Sequence, residues 1–165
     1  MIVVVMGVAG CGKTTLARAL CERLGWTLCD ADDLHPPANV AAMRAGRPLT
    51  DADRAPWLDA IAALHADWQA AGISGATACS ALRAAYRARL RANGPAFRLV
   101  YLDTDRDLAR QRVGNRPGHY FPTSLVDSQF AALEPPGPEE DPIRLDAGAD
   151  LSANVEAVVR ALGLS

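Results

Sequence analysis

The 165-residue chain has no excess of positive charge, no apolar run long enough to cross a bilayer and no paired-cysteine spacing. Each absence removes a class of function. With 17 Lys+Arg against 19 Asp+Glu, the net charge is −2, which gives no general attraction to nucleic acid or to an anionic membrane. Any basic cluster must be local and serve a phosphate or a carboxylate. The apolar run Met1 to Met6 is far below the ~20 residues of a span and carries no basic leader. The expectation is a soluble, cytoplasmic protein with neither nucleic-acid nor membrane partners. Cys11, Cys21, Cys29 and Cys79 show neither C-x-x-C spacing nor the density of a secreted scaffold, so four reduced thiols are expected and no zinc site. An N-K-x-D guanine-reading motif is missing, which argues against a GTPase. Internal repeats and low-complexity tails are missing too. The length fits one domain with a core that needs no staples.

What is present begins at the N-terminus. Ile2 to Met6 is an unbroken apolar run of the kind a buried parallel strand makes. It is followed at once by Gly7-Val8-Ala9-Gly10-Cys11-Gly12-Lys13-Thr14-Thr15, a full G-x-x-x-x-G-K-[ST] phosphate-binding loop. The chemistry asks for these residue types: glycines let backbone N–H groups converge on an anion, Lys13 supplies charge to the β/γ-phosphates, and Thr14 offers a hydroxyl to Mg²⁺. Leu16 to Leu24 carries apolar residues at helical spacing before Gly25 stops it. Strand, loop and helix therefore arrive in the order the motif needs. Cys11, close to a helix N-terminus and to Lys13, is expected to favour a thiolate, to be sensitive to oxidation and to be shielded by nucleotide.

Further along, Trp26 to Cys29 reads as a second strand that delivers Asp30 and Asp32 at its C-terminal end, where open α/β sheets bind ligands. One of these carboxylates can turn to a metal and the other to an acceptor, while Asp33 is expected to cap the next helix. Ala38 to Ala45 has helical composition. Trp57, Ile61, Leu64 and Trp68 form the buried stripe of a long amphipathic helix, so the two tryptophans read as core and His65 as a surface or satisfied histidine. His35, Arg47 and Arg54 bracket the aspartates and form a donor set for an acidic, polyhydroxylated substrate. Residues 72–79 occupy the place of strand three, although two glycines and few β-branched residues make it a poor one. A helix opening at Ser80, strand four at Phe97 to Leu102, a helix from Asp105 to Val113, another from Ser124 to Leu133, a short strand at Ile143 to Leu145 and a last helix from Leu151 to Leu162 complete the chain. Arg112 and Arg116, set among glycines and prolines, suit a flap that closes over phosphates.

Over nearly its whole length the sequence resembles the P-loop gluconate kinases, relatives of shikimate and adenylate kinases. The likeness rests on the phosphate loop; on Asp30-Ala31-Asp32 with Leu34-His35-Pro36 and Asn39; on Met43, Gly46, Pro48-Leu49, Asp51, Asp53-Arg54 and Pro56-Trp57-Leu58; on Cys79-Ser80-Ala81-Leu82-Arg83 with Tyr86-Arg87; and on Arg112, Arg116, His119 to Phe121, Ser128-Gln129 and Leu133-Glu134-Pro135. The resemblance implies a single three-layer α/β/α domain with a mostly parallel five-stranded sheet in the order 2-3-1-4-5. It places an acceptor-binding part at about 36–71 and a lid at about 114–121. It implies ATP- and Mg²⁺-dependent phosphorylation of D-gluconate to 6-phospho-D-gluconate, and a homodimer. Lys13 and the loop residues Gly7 to Thr15 would hold ATP, with Arg112 and Arg116 closing on its phosphates. Thr14 and Asp30 would hold the metal, Asp32 would deprotonate the acceptor, and His35, Arg54 and Arg83 would contact it. Arg83 stands where lysine is usual, and Ala88 replaces an acid that commonly follows Tyr-Arg. A shikimate-like or nucleotide-type kinase, or a nucleotide-binding switch without an acceptor, are the competing readings.

Overall fold

The computed structural model describes residues 1–115 and 123–165. Five strands, β1 (Ile2–Met6), β2 (Thr27–Asp30), β3 (Gly75–Ala78), β4 (Arg98–Asp103) and β5 (Ile143–Asp146), form one sheet in the order β2-β3-β1-β4-β5. All four pairings are parallel, as the expected fold requires. β1 lies at the centre and is buried at every position. Its side chains alternate between two cores. Val3 and Val5 join Leu16, Leu20, Val100 and Val158 on one face, while Val4 and Met6 join Trp57, Ile61, Leu90 and Leu99 on the other. Helices α1 (Lys13–Leu24) and α7 (Leu151–Ala161) cover the first face, and α3 (Asp51–Ala70) and α4 (Ala84–Asn93) the second. Helices α5 (Arg106–Gly114) and α6 (Thr123–Ala132) join the first core through Ala109, Val113 and Val126, and α2 (Pro37–Arg44) precedes α3.

Several boundaries differ from the sequence expectation, each for a local reason. α1 starts inside the phosphate motif, at Lys13. α3 starts six residues before Trp57 because Thr50 and Asp53 close a capping box, which leaves Pro56 inside the helix. α4 starts at Ala84 and not at Ser80, since Ala81 adopts φ 45° and interrupts any helix there. Asp33 does not cap α2. It lies in a 3₁₀ turn at Ala31–Leu34, and α2 follows Pro36 with no side-chain cap.

The poor composition of β3 also has a cause. A Cβ on Gly75 would lie 2.5 Å from the Trp68 ring, so the small residues of this strand make room for α3. His65 is buried and satisfied, with Nε2 2.8 Å from the Thr77 hydroxyl of β3. No helix among the described residues is long and apolar enough to cross a membrane.

Candidate active site

The C-terminal ends of β1, β2 and β3 open onto a cavity of about 750 Å³. One wall is the phosphate loop, through Ala9, Gly10, Gly12, Lys13, Thr14 and Thr15. Gly10 and Gly12 have φ 80° and 93°, values that favour glycine. A Cβ on Gly10 would also sit 2.5 Å from the Ala109 carbonyl oxygen. The loop closes on itself through a 3.2 Å bond from Cys11 N–H to the Val8 carbonyl. No side chain caps the N-terminus of α1, so its first N–H groups remain available to an anion. Lys13 lines the same wall and is the only lysine in the chain.

Gly7 and Val8 are buried behind this wall and shape the loop from below. Cys11 is buried as well, at 1% exposure. Burial pushes its thiol pKa up, against the smaller opposing pull of Lys13 and Arg112. The expected thiolate is therefore corrected: loss of solvent outweighs the neighbouring positive charge.

Asp30 and Thr14 meet across the base of the cavity, the Thr14 hydroxyl donating to Asp30 Oδ2 at 3.0 Å. The other Asp30 oxygen accepts from the backbone N–H of Asp32 at 3.0 Å, which fixes the turn that carries Asp32 to the cavity wall. Among the described residues no group of three or more His, Cys, Asp or Glu forms a metal cage. A hydroxyl and one carboxylate beside a phosphate site are the hard oxygen donors Mg²⁺ accepts while keeping waters and substrate oxygens.

The opposite wall is built by α2, α3 and the loop between them, through Met43, Arg47, Leu49, Asp51, Arg54 and Trp57. His35 stacks on Trp57 with ring centroids 4.2 Å apart, and Trp57 Nε1 donates to the Ala31 carbonyl at 2.6 Å. Trp57 is thus both core and site wall. Asn39 Nδ2 lies 3.2 Å from His35 Nδ1 and donates to the Asp53 carbonyl at 2.8 Å. An amide NH₂ only donates, so Nδ1 is the acceptor and the proton sits on Nε2. Burial, with the Arg54 guanidinium as a lesser cause, lowers the His35 pKa to about 4; at neutral pH the ring is an uncharged donor. Arg54 Nη1 donates to the Leu49 carbonyl and to Tyr86 Oη, and Tyr86 Oη donates to Asp51. Arg83 lines the cavity from the N-cap of α4, exposed and with no carboxylate partner among the described residues.

A second hollow of about 470 Å³ adjoins the loop on its other side, with Leu108, Arg112, Ala147 and Asn154 among its lining. Arg112 does not reach into the main cavity. Its guanidinium donates to the Cys11 carbonyl at 3.0 Å and to the Ala147 carbonyl at 2.9 Å, tying the phosphate loop to the segment after β5. Arg116 and residues 116–121 of the expected lid lie outside the described residues.

Comparison with known proteins gives this architecture a family. A model of the AAA domain matches residues 2–136. The gluconokinase of Gluconobacter oxydans (strain 621H) is 45% identical over 161 residues, which cover 95% of this chain and 88% of that protein. The chain belongs to the gluconokinase family. Among solved structures, a sugar kinase from Janibacter sp. HTCC2649 superposes with a TM-score of 0.93 at 39% identity, covering 99% of this chain and 95% of that one. A gluconokinase from Sinorhizobium meliloti 1021 gives 0.85 at 36%, covering 98% and 90%.

Seen as a gluconokinase-family member, the chain gives meaning to residues the sequence left without a role. Arg87 is 1% exposed and bonds Glu140 through two nitrogens, the Ala81 and Leu82 carbonyls and the Glu134 carbonyl. It holds the strained Ala81 turn that presents Ser80, Leu82 and Arg83 to the cavity. Ala88 is exposed on α4 and is not on the cavity wall, so the lost acid removes no contact there. Arg18, Asp51 and Gln129 also line the cavity. Asp51 and Gln129 belong to the blocks that carry the family resemblance but were given no role there, and Arg18 had no signal beyond its place on the helix after the phosphate loop.

Proposed function

We propose that the chain transfers the γ-phosphoryl group of ATP to D-gluconate, giving ADP and 6-phospho-D-gluconate. The observation that carries this reading is that one cavity joins a phosphate loop to a wall of arginines, a neutral histidine and an aspartate on the turn just past β2. The acceptor must therefore combine an anionic end with hydroxyl groups, and the named family members act on such a compound.

The loop N–H groups and Lys13 hold the β- and γ-phosphates. The nucleoside lies in the adjoining hollow beside Arg112 and Ala147. Thr14 and Asp30 would hold Mg²⁺, which when bound supplies charge to the phosphate oxygens. Arg54, braced by Leu49, Tyr86 and Asp51, and the exposed Arg83 meet the gluconate carboxylate, while His35 Nε2–H donates to a hydroxyl. Asp32 takes the proton of the attacking hydroxyl as that oxygen bonds to phosphorus and the bridging oxygen of ADP leaves. Positioning and charge stabilisation supply most of the catalysis in this class of reaction. Arg116 as a further phosphate contact, a homodimer and a cytoplasmic location belong to the same proposal and rest on family resemblance.

The test is ADP release measured across an acceptor panel of gluconate, other aldonic acids, shikimate and nucleoside monophosphates, each with Mg-ATP. Gluconate is expected to be turned over far above the rest. Absence of a phosphorylated aldonate would overturn the reading, and turnover of shikimate or a nucleotide alone would replace it.

A further inference from the structure

One wall of the cavity is a face of α6, made by Leu125, Ser128, Gln129 and Ala132 at helical spacing. Leu125 and Ala132 are apolar, and the Ser128 hydroxyl donates back to the Leu125 carbonyl at 2.9 Å. Gln129 is therefore the residue of this face with a hydrogen-bonding group to spare. Its Oε1 accepts from the backbone N–H of Ala9 at 2.6 Å. Ala9 is the first residue of the phosphate loop to reach the cavity wall. Because that N–H can only donate, the carboxamide is fixed with its oxygen on the loop and Nε2 directed elsewhere. No described residue accepts from Nε2.

Lys13 and the N-terminus of α1 supply charge from the loop side, and a transferring phosphoryl group spreads negative charge over three oxygens. A donor on the α6 wall, held in place before reaction, is the kind of group that stabilises this charge with no reorganisation. Resting on the kinase reading, we propose that Gln129 is a catalytic residue whose Nε2–H donates to the phosphoryl group in transit. The bond from phosphorus to the bridging oxygen of ADP breaks, the bond to the acceptor oxygen forms, and the hydroxyl proton goes to Asp32. Gln129 contributes a hydrogen bond and moves no proton. The Ala9 bond is what aims it.

Gln129→Glu and Gln129→Leu test this against wild type, with kcat, acceptor KM and ADP affinity measured for each. Gln129→Glu keeps an oxygen for Ala9 but replaces the donor by a repelling carboxylate. Its kcat should fall roughly 100-fold, as on losing one preorganised donor, with ADP affinity and acceptor KM within about three-fold of wild type, since neither involves the transferring group. Gln129→Leu should lose kcat with ADP affinity similarly retained. If kcat of Gln129→Glu stays within about three-fold of wild type, or ADP affinity falls in step with kcat in both variants, Gln129 only shapes the loop and the proposal is overturned. The ratio is taken on whichever acceptor wild type turns over, or on ATP hydrolysis if it uses none. Failure of the gluconate reading therefore shows in the wild-type panel and failure of this one in the ratio.

Discussion

At the scale of single residues, the proposed chemistry separates charge that binds from charge that reacts. Lys13, Arg54 and Arg83 are cations facing the cavity, whereas Asp32 sits at its wall on a turn fixed by Asp30. Asp32→Asn keeps the shape and removes the proposed proton acceptor. Such a variant should bind Mg-ATP as wild type does, by titration calorimetry, and lose kcat for gluconate by roughly 100-fold, within the usual range for a general base; full turnover would remove Asp32 from that role. The sequence made these residues legible because each occurs at a fixed offset inside a motif. Cys11 shows the opposite case. Its neighbours in sequence suggested a reactive thiolate, but reactivity depends on burial, and its place behind the loop against Gly7 is a tertiary fact. Arg87 was equally illegible: in sequence it is one arginine on a helix rich in them, yet in the fold it is a buried tie between α4, the Ala81 turn and Glu140.

At the scale of elements, the alternation of β1 and the stripe of α3 were readable as patterns, since each has a period that burial imposes. β3 was not, because its small residues record the volume of a tryptophan from another element. The same contact region contains a proton-linked pair. His65 of α3 is held against Thr77 of β3 beside Trp68 and Phe97, and burial lowers its pKa from 6.5 to about 4. An unfolded chain takes up this proton as pH falls below about 6.5 while the folded chain does not, so stability declines with falling pH. The loss begins near pH 6.5 and levels off near pH 4. Its full size is roughly 3 kcal/mol, at 1.36 kcal/mol per pKa unit. Urea denaturation of wild type and of His65→Gln between pH 7 and 4 should show the wild type losing more stability by about that amount. His35 has a lowered pKa too, but it is common to both proteins and cancels in the comparison. Parallel curves for the two would show that His65 is charged within the fold.

At the scale of the whole molecule, five parallel strands bring their C-terminal ends to one edge, and the loops there come from segments far apart in the chain. Arg112 joins the phosphate loop to the turn after β5, and Gln129 joins it to α6. A bound nucleotide would then rest on groups that exist together only in the native state, so its binding free energy adds to folding stability. At free Mg-ATP about 100 times its dissociation constant the gain is about 2.7 kcal/mol. For a chain of this size that corresponds to a rise in Tm of roughly 5–10 °C. Lys13→Ala removes the one lysine and should abolish most of the rise while leaving the ligand-free Tm close to wild type, because the Lys13 side chain makes no hydrogen bond or ion pair to the described residues. A rise that survives in Lys13→Ala would place the nucleotide somewhere other than the phosphate loop, and with it the direction from which phosphoryl transfer enters the cavity.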